Sequence, residues 1–216
     1  SNAYQFLDAN VDSIKYKLYF NKSVRAGVPI GYKDSWKDVT NEFSVLTFPD
    51  KNNQSQYLKT GIAYQSLKGT FDTVVKTSLY NIYAVGAYKN RSKNKIWDID
   101  AAAKLFLNGR NSGDYEASIY LQRYLGAKAG YLTVGFNNLS RSPSLLLDPI
   151  SSFPVVANGA FNKENTIKLF AKYEKPNKQL TFLANYYGVS NYMYFDSFFT
   201  ARQEATLFNV LQFSVT

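Results

Sequence analysis

Two aspartates set two residues apart, Asp98 and Asp100, are the first place where this chain could do chemistry. On an extended strand they share a face about 7 Å apart, close enough for the paired-carboxylate work of glycoside hydrolysis. Both would come from one strand, and no neighbouring sequence supplies the apolar pocket that keeps one carboxyl protonated for acid duty. Hydrated surface or lumen residues are the plainer reading. Tyr186, Tyr187, Tyr192, Tyr194, Phe195, Phe198 and Phe199 could stack on sugars, although an interfacial girdle with loop packing explains them better. Lys89, Arg91, Lys93 and Lys95 could meet nucleic acid, but no recognition helix or stacking motif accompanies them, so a solvated turn is expected. No glycines group as Gly-x-Gly-x-x-Gly or as a Walker loop. The chain holds no cysteine and no histidine, which removes disulfides, Cys/His zinc sites and every nucleophilic mechanism built on a histidine base. We expect no catalytic residue, metal or cofactor, and no nucleic acid partner.

These side chains need strands to position them. Trp97, Ile99, Ala101, Ala103, Leu105 and Leu107 alternate with Asp98, Asp100, Ala102, Lys104 and Phe106, a period of two held over a whole strand. After Asn108-Gly109-Arg110-Asn111-Ser112-Gly113-Asp114, the pattern resumes with Tyr115, Ala117, Ile119, Leu121 and Leu125 against Glu116, Ser118, Tyr120, Gln122 and Tyr124. Pairing Leu107 with Tyr115 puts both apolar sets on one side. Each arm runs for about ten residues, enough for a tilted strand to cross hydrocarbon. Arg123 falls on the apolar face but beside the strand end, where a cation costs roughly 0 to 1 kcal/mol against about 2 to 4 at the bilayer midplane.

Along the rest of the chain we expect one short strand (Ile14 to Phe20) and a loop between Tyr4 and Val39, then strands over Asn41 to Phe48 and Tyr57 to Leu67. Lys68-Gly69 is read as a turn. Thr70 to Lys89 is either two strands divided near Thr77-Ser78 or one long strand with a bulge such as Gly86. Gly126 to Gly130 makes a tight connection into a strand through Leu132, Val134 and Phe136. Leu139 to Glu164 reads as irregular. A hairpin follows, with Ile167, Leu169, Ala171 and Tyr173 facing Leu180, Phe182, Ala184 and Tyr186, and Glu174 opposite Gln179. Gly188 to Gln203 reads as a second long connection, and a last strand runs from Leu207 to Val215. From the central hairpin onward the connections run intermediate, short, long, short, long, as in a meander across a membrane.

The 216 residues make one domain, 4–216, with Ser1-Asn2-Ala3 read as a scar of tag removal and the remainder as part of a longer protein. The fold class is all-β, an antiparallel up-and-down meander of about 9 to 11 strands forming part or all of a β-barrel. Tyrosine (18) and phenylalanine (16) far outnumber tryptophan (2), which suits strands and the aromatic girdles of membrane barrels alike. The formal charge of +9 would serve nucleic acid, anionic lipid or sugar, or anion conduction, and says nothing of fold.

The stretches Gly135-Phe136-Asn137-Asn138, Ser140-Arg141-Ser142-Pro143-Ser144, Phe161-Asn162-Lys163-Glu164-Asn165-Thr166, Leu169-Phe170-Ala171, Asn191-Tyr192-Met193-Tyr194-Phe195-Asp196 and Leu207-Phe208-Asn209-Val210-Leu211 resemble the putative porins of Bacteroidetes, best over residues 95–216. The resemblance implies an outer-membrane barrel rather than an enzyme, passing small hydrophilic solutes by diffusion. Asp98, Asp100, Lys104, Glu116, Gln122, Lys168 and Lys172 would then line the lumen. Trp97, Ile99, Leu105, Ile119, Leu121, Leu169 and Phe182 would face lipid, or a core in the alternative reading. That alternative is a soluble or surface-anchored β module, non-enzymatic, binding carbohydrate or protein with Ile99, Leu105, Ile119 and Leu121 inside. Away from the membrane lipid of its parent, a partial barrel should self-associate through edges or apolar faces, or close into a smaller barrel with its apolar residues inside.

Overall fold

In the computed structural model the alternating stretches are strands, and ten of them form one sheet. The structure describes residues 2–8, 30–71, 75–148, 156–157, 159–197 and 200–216. The strands are β1 (Asn2–Asp8), β2 (Ile30–Thr47), β3 (Gln56–Phe71), β4 (Val75–Arg91), β5 (Trp97–Gly109), β6 (Tyr115–Gly126), β7 (Gly130–Arg141), β8 (Val156–Ala157), β9 (Glu164–Lys175), β10 (Leu180–Ser190), β11 (Tyr192–Ser197), β12 (Thr200–Glu204) and β13 (Phe208–Val215). The large sheet runs β1-β2-β3-β4-β5-β6-β7-β9-β10-β13, each neighbour antiparallel to the next, and β11, β12 and β8 make a small sheet beside it. Among the described residues β1 and β13 do not pair, so the meander is open.

Several elements differ from the sequence reading. Lys68-Gly69 does not turn the chain: both lie inside β3, and Gly69 is there because the Trp36 ring occupies the place of a β-carbon. β2 begins well before Asn41, since Lys33, Ser35 and Lys37 on one face dilute the apolar signal without changing the period. Residues 75–91 are one strand, and the irregularity opposite Ile82 and Tyr83 is an extra residue on β5, while Gly86 pairs regularly with Ala103. Leu139 to Arg141 complete β7, and the connection Gly188 to Gln203 contains the end of β10, all of β11 and most of β12. The short strand expected over Ile14 to Phe20 lies outside the described residues.

Two registers also move. Leu105, not Leu107, opposes Tyr115, and Glu174 opposes Thr181 rather than Gln179. Around the first turn Gly113 donates to the Phe106 carbonyl at 2.8 Å and Phe106 to that of Asp114 at 2.9 Å, leaving Leu107 without a ladder partner. In the second, Gln179 sits in the left-handed region (φ 50) and closes a turn through Pro176, which removes it from the ladder. Each displacement is two residues, one full pleat, so both hairpins keep the faces the alternation gives.

Cross-strand partners share a face, and the ladders therefore assemble two continuous walls. One holds Phe43, Ile62, Ala84, Leu105, Ile119, Phe136, Leu169, Tyr186 and Leu211. The other holds the charges. Among the described residues no conventional apolar core forms: the buried hydrophobic residues there are Ala63, Tyr83 and Ala201, and the first two belong to the polar wall, whereas Phe43 and Phe213 on the apolar wall are 73% and 71% exposed.

Candidate functional site

The polar wall is concave. A hollow of about 380 Å³ is bordered by Arg91, Asp98, Gln122, Tyr131 and Glu174, one residue from each of β4, β5, β6, β7 and β9. Ala63, Asn81, Tyr83 and Asn185 are buried on this wall while Phe43 and Phe213 stand bare on the other, and Tyr120 and Phe170, on the strands flanking β7, lean together with ring centroids 5.5 Å apart. They meet above Gly135, where any β-carbon would fall 2.3 Å from the Phe170 ring and 2.6 Å from Tyr120. The sheet thus curls around its wet side and presents its oily side outward.

Ladder geometry positions the charges in that hollow. Arg91 grips Asp98, its Nε donating to both carboxylate oxygens at 3.2 and 3.0 Å. One pleat further, Lys89 reaches Asp100 at 3.8 Å. Lys59 with Glu42 (2.6 Å) and Lys172 with Glu174 (2.8 Å) extend the row to both sides. Lys104 opposes Glu116 in the ladder but lays its ammonium over the Tyr83 and Phe106 rings, 3.9 and 4.6 Å from their centroids. Lys168 does the same between Phe170 and Tyr187. Gln122 donates to Thr133 at 3.1 Å. Asp98, Asp100, Lys104, Glu116, Gln122, Lys168 and Lys172 therefore share one face, and the register puts Ile99, Leu105, Ile119, Leu121, Leu169 and Phe182 on the other, with Trp97 opposite Arg123 at its margin. Arg123 covers the Trp97 ring at 4.9 Å. In the aspartate pair each carboxylate faces its own cation on β4 rather than the other.

A second cluster ties together the rim where the long connections lie. Asp114 is buried, and one of its carboxylate oxygens accepts from the Ser142 N–H (2.9 Å), the Ser142 hydroxyl (2.7 Å) and the Lys163 ammonium (2.8 Å), while Asn111 donates to the other (3.0 Å). Asn81, also buried, donates to Gln65 (2.9 Å) and accepts from the Asn111 N–H (2.8 Å). Gln203 bridges the next gap, accepting from the Asn162 N–H and donating to the carbonyls of Asn162 and Asn191. Sequence reading missed these residues. Asp114 looked like one more turn former, and its partners lie too far along the chain to show any local pattern. Of the aromatic cluster, Tyr192 stacks on Tyr194 and Phe208, Tyr186 donates to Asn209 at 2.6 Å, and Phe198 and Phe199 lie outside the described residues. Of the cationic run, Lys89, Arg91 and Lys93 each meet a separate acid, Lys93 reaching Asp50 at 3.0 Å. Asp50 lies below the usual carboxylate range, chiefly because the Asn52 N–H donates to it, with Lys93 adding to the effect.

The sheet is inside-out, with a charged concave side, and a family model described as a putative porin matches residues 1–216. The chain belongs to that porin family. No curated protein and no solved structure matches it.

Proposed function

We propose that this porin chain forms wall of an outer-membrane barrel whose concave face borders a water-filled passage for small hydrophilic solutes. The inverted polarity of the sheet carries the reading. In water, exposing Phe43, Ile62, Leu105, Ile119, Leu211 and Phe213 together forfeits about 1.5 to 3 kcal/mol per side chain relative to full burial. Lipid restores that contribution without a protein core. The alternative soluble module needs Leu105 and Ile119 inside, whereas both are nearly half exposed.

Asp98, Asp100, Lys104, Glu116, Gln122, Lys168 and Lys172 would line the passage, with the 142–163 and 191–207 connections at its mouth. Paired charges of both signs keep that lining hydrated and favour polar solutes over apolar ones. Away from lipid, the open edges of β1 and β13 and the bare apolar face would drive the chain to self-associate. The test is conductance of the full-length protein in planar bilayers. Stepwise channels are expected, with the cation-to-anion permeability ratio shifting toward cations in a Lys104→Glu/Lys168→Glu variant. Silence at every voltage and salt concentration would remove the proposal.

A further inference from the structure

β2, β3 and β4 outrun the rest of the sheet. β4 starts at Val75, while its last ladder partner on β5 pairs with Asn81, so residues 75–80 and the matching ends of β2 and β3 project as a tongue, with β1 paired along its β2 edge. Its concave side is held by Trp36 on Gly69 and by Asp38, which accepts from Gln65 at 2.9 Å. Its outward side carries Lys37 directly opposite Lys68, with Lys76 one pleat beyond the Lys68 partner, Ser78. All three lysines are exposed, and none has an ion pair or hydrogen bond among the described residues. Ser35, Ser66, Thr70 and Ser78 share this face with them.

Like charges placed directly across a ladder repel, and within the described strands the outward wall holds no aspartate or glutamate to offset them. Immediately below stand Tyr64 and Tyr80, stacked with centroids 6.2 Å apart, and below those Phe43 and Ile62. Ser78 lies about 7 Å and Lys76 about 14 Å along the strand from Tyr80, at roughly 3.4 Å per residue. The order along this wall is apolar, then aromatic, then cationic with hydroxyls.

Resting on the barrel reading above, we propose that Lys37, Lys68 and Lys76 bind the phosphate of a lipid headgroup in the leaflet on the long-loop side. A headgroup there extends its acyl chains down over Tyr64, Tyr80 and Ile62, a complementarity that a free anion lacks. The ammonium groups supply the charge, and the serine and threonine hydroxyls supply further donors to phosphate oxygens.

The full-length protein would be inserted in phosphatidylcholine nanodiscs doped with phosphatidic acid, and the lipid retained after detergent extraction counted by native mass spectrometry. Wild type and the Lys37→Arg/Lys68→Arg/Lys76→Arg variant should retain phosphatidic acid. The Lys37→Ser/Lys68→Ser/Lys76→Ser variant should retain roughly tenfold less, with unchanged channel conductance because these side chains lie outside the passage. Equal retention by an inserted, conducting serine variant overturns this inference and leaves the pore intact. Inorganic phosphate that strips the retained lipid overturns the lipid assignment in favour of a free-anion site. Failure to insert in any nanodisc overturns both readings together.

Discussion

Ile119 and Ser118 are neighbours on β6, yet they stand on opposite walls of the sheet. Ile119 lies between Ala101 and Phe136, nearly half exposed on a wall of apolar side chains, while Ser118 lies between Ala102 and Asn137 on the wall that carries the ion pairs. In a water-soluble sandwich the first wall would be the core and the second the surface. Here curvature reverses the assignment, which teaches that the hydrophobic pattern of a strand names its two faces without saying which is inside. On the proposed reading lipid takes the apolar wall without cost, while on the concave wall Asp98, Asp100 and Glu174 each meet a cation.

The sharpest way to break this comparison is to exchange the two environments. Ile119→Arg should cost roughly 2 to 4 kcal/mol of folding stability in lipid vesicles, read by urea titration, whereas Ser118→Arg should stay within about 0.5 kcal/mol and instead raise anion permeability. Equal losses at both positions would mean that the faces do not differ. Filling the concave side at Gly135 comes next. Gly135→Val drives a side chain into the space of Tyr120 and Phe170 and should destabilise by about 1 to 3 kcal/mol, with altered near-ultraviolet circular dichroism from the separated rings.

Asp114→Ala should cost a similar or smaller amount, about 1 to 3 kcal/mol, because the Lys163 ammonium and the Ser142 N–H lose their acceptor. Its signature is local: faster proteolysis within 142–163, with the strands unchanged. The smallest effect concerns acid. The Asp50 carboxyl is held below its ordinary range in the fold, so its contribution is fully present above that range and disappears as pH falls through the lowered value. Protonation should release the Asn52 N–H and Lys93, visible as a chemical-shift change confined to the 48–55 and 92–96 turns, while a change spreading across the sheet would contradict the separation of turn from wall.

How much could be read beforehand depends on range. The β5 to β7 and β9 to β10 strands, and which of them pair, were legible because each alternates and each turn is short, although the two hairpin registers were read two residues off and the end of β7 was missed. The β11 and β12 pair was not, since Tyr192, Met193, Tyr194 and Phe195 offer no contrast between faces. Gly69 misled for a physical reason: glycine marks a turn or a close approach equally well, and only the Trp36 ring across the ladder distinguishes them.

The sequence by itself determined the two walls, because side chains two apart point the same way and a ladder shift of two residues leaves that sorting unchanged. It could not determine the absolute registers, the burial of Asp114 under Ser142 and Lys163, or the direction of curl. Those were decided by contacts between distant positions: the extra residue opposite Ile82 and Tyr83, the Asp114 to Lys163 bond across 49 residues, and the meeting of Tyr120 with Phe170 over Gly135. A period of two reads identically from either side of a sheet, and only packing bends the sheet one way.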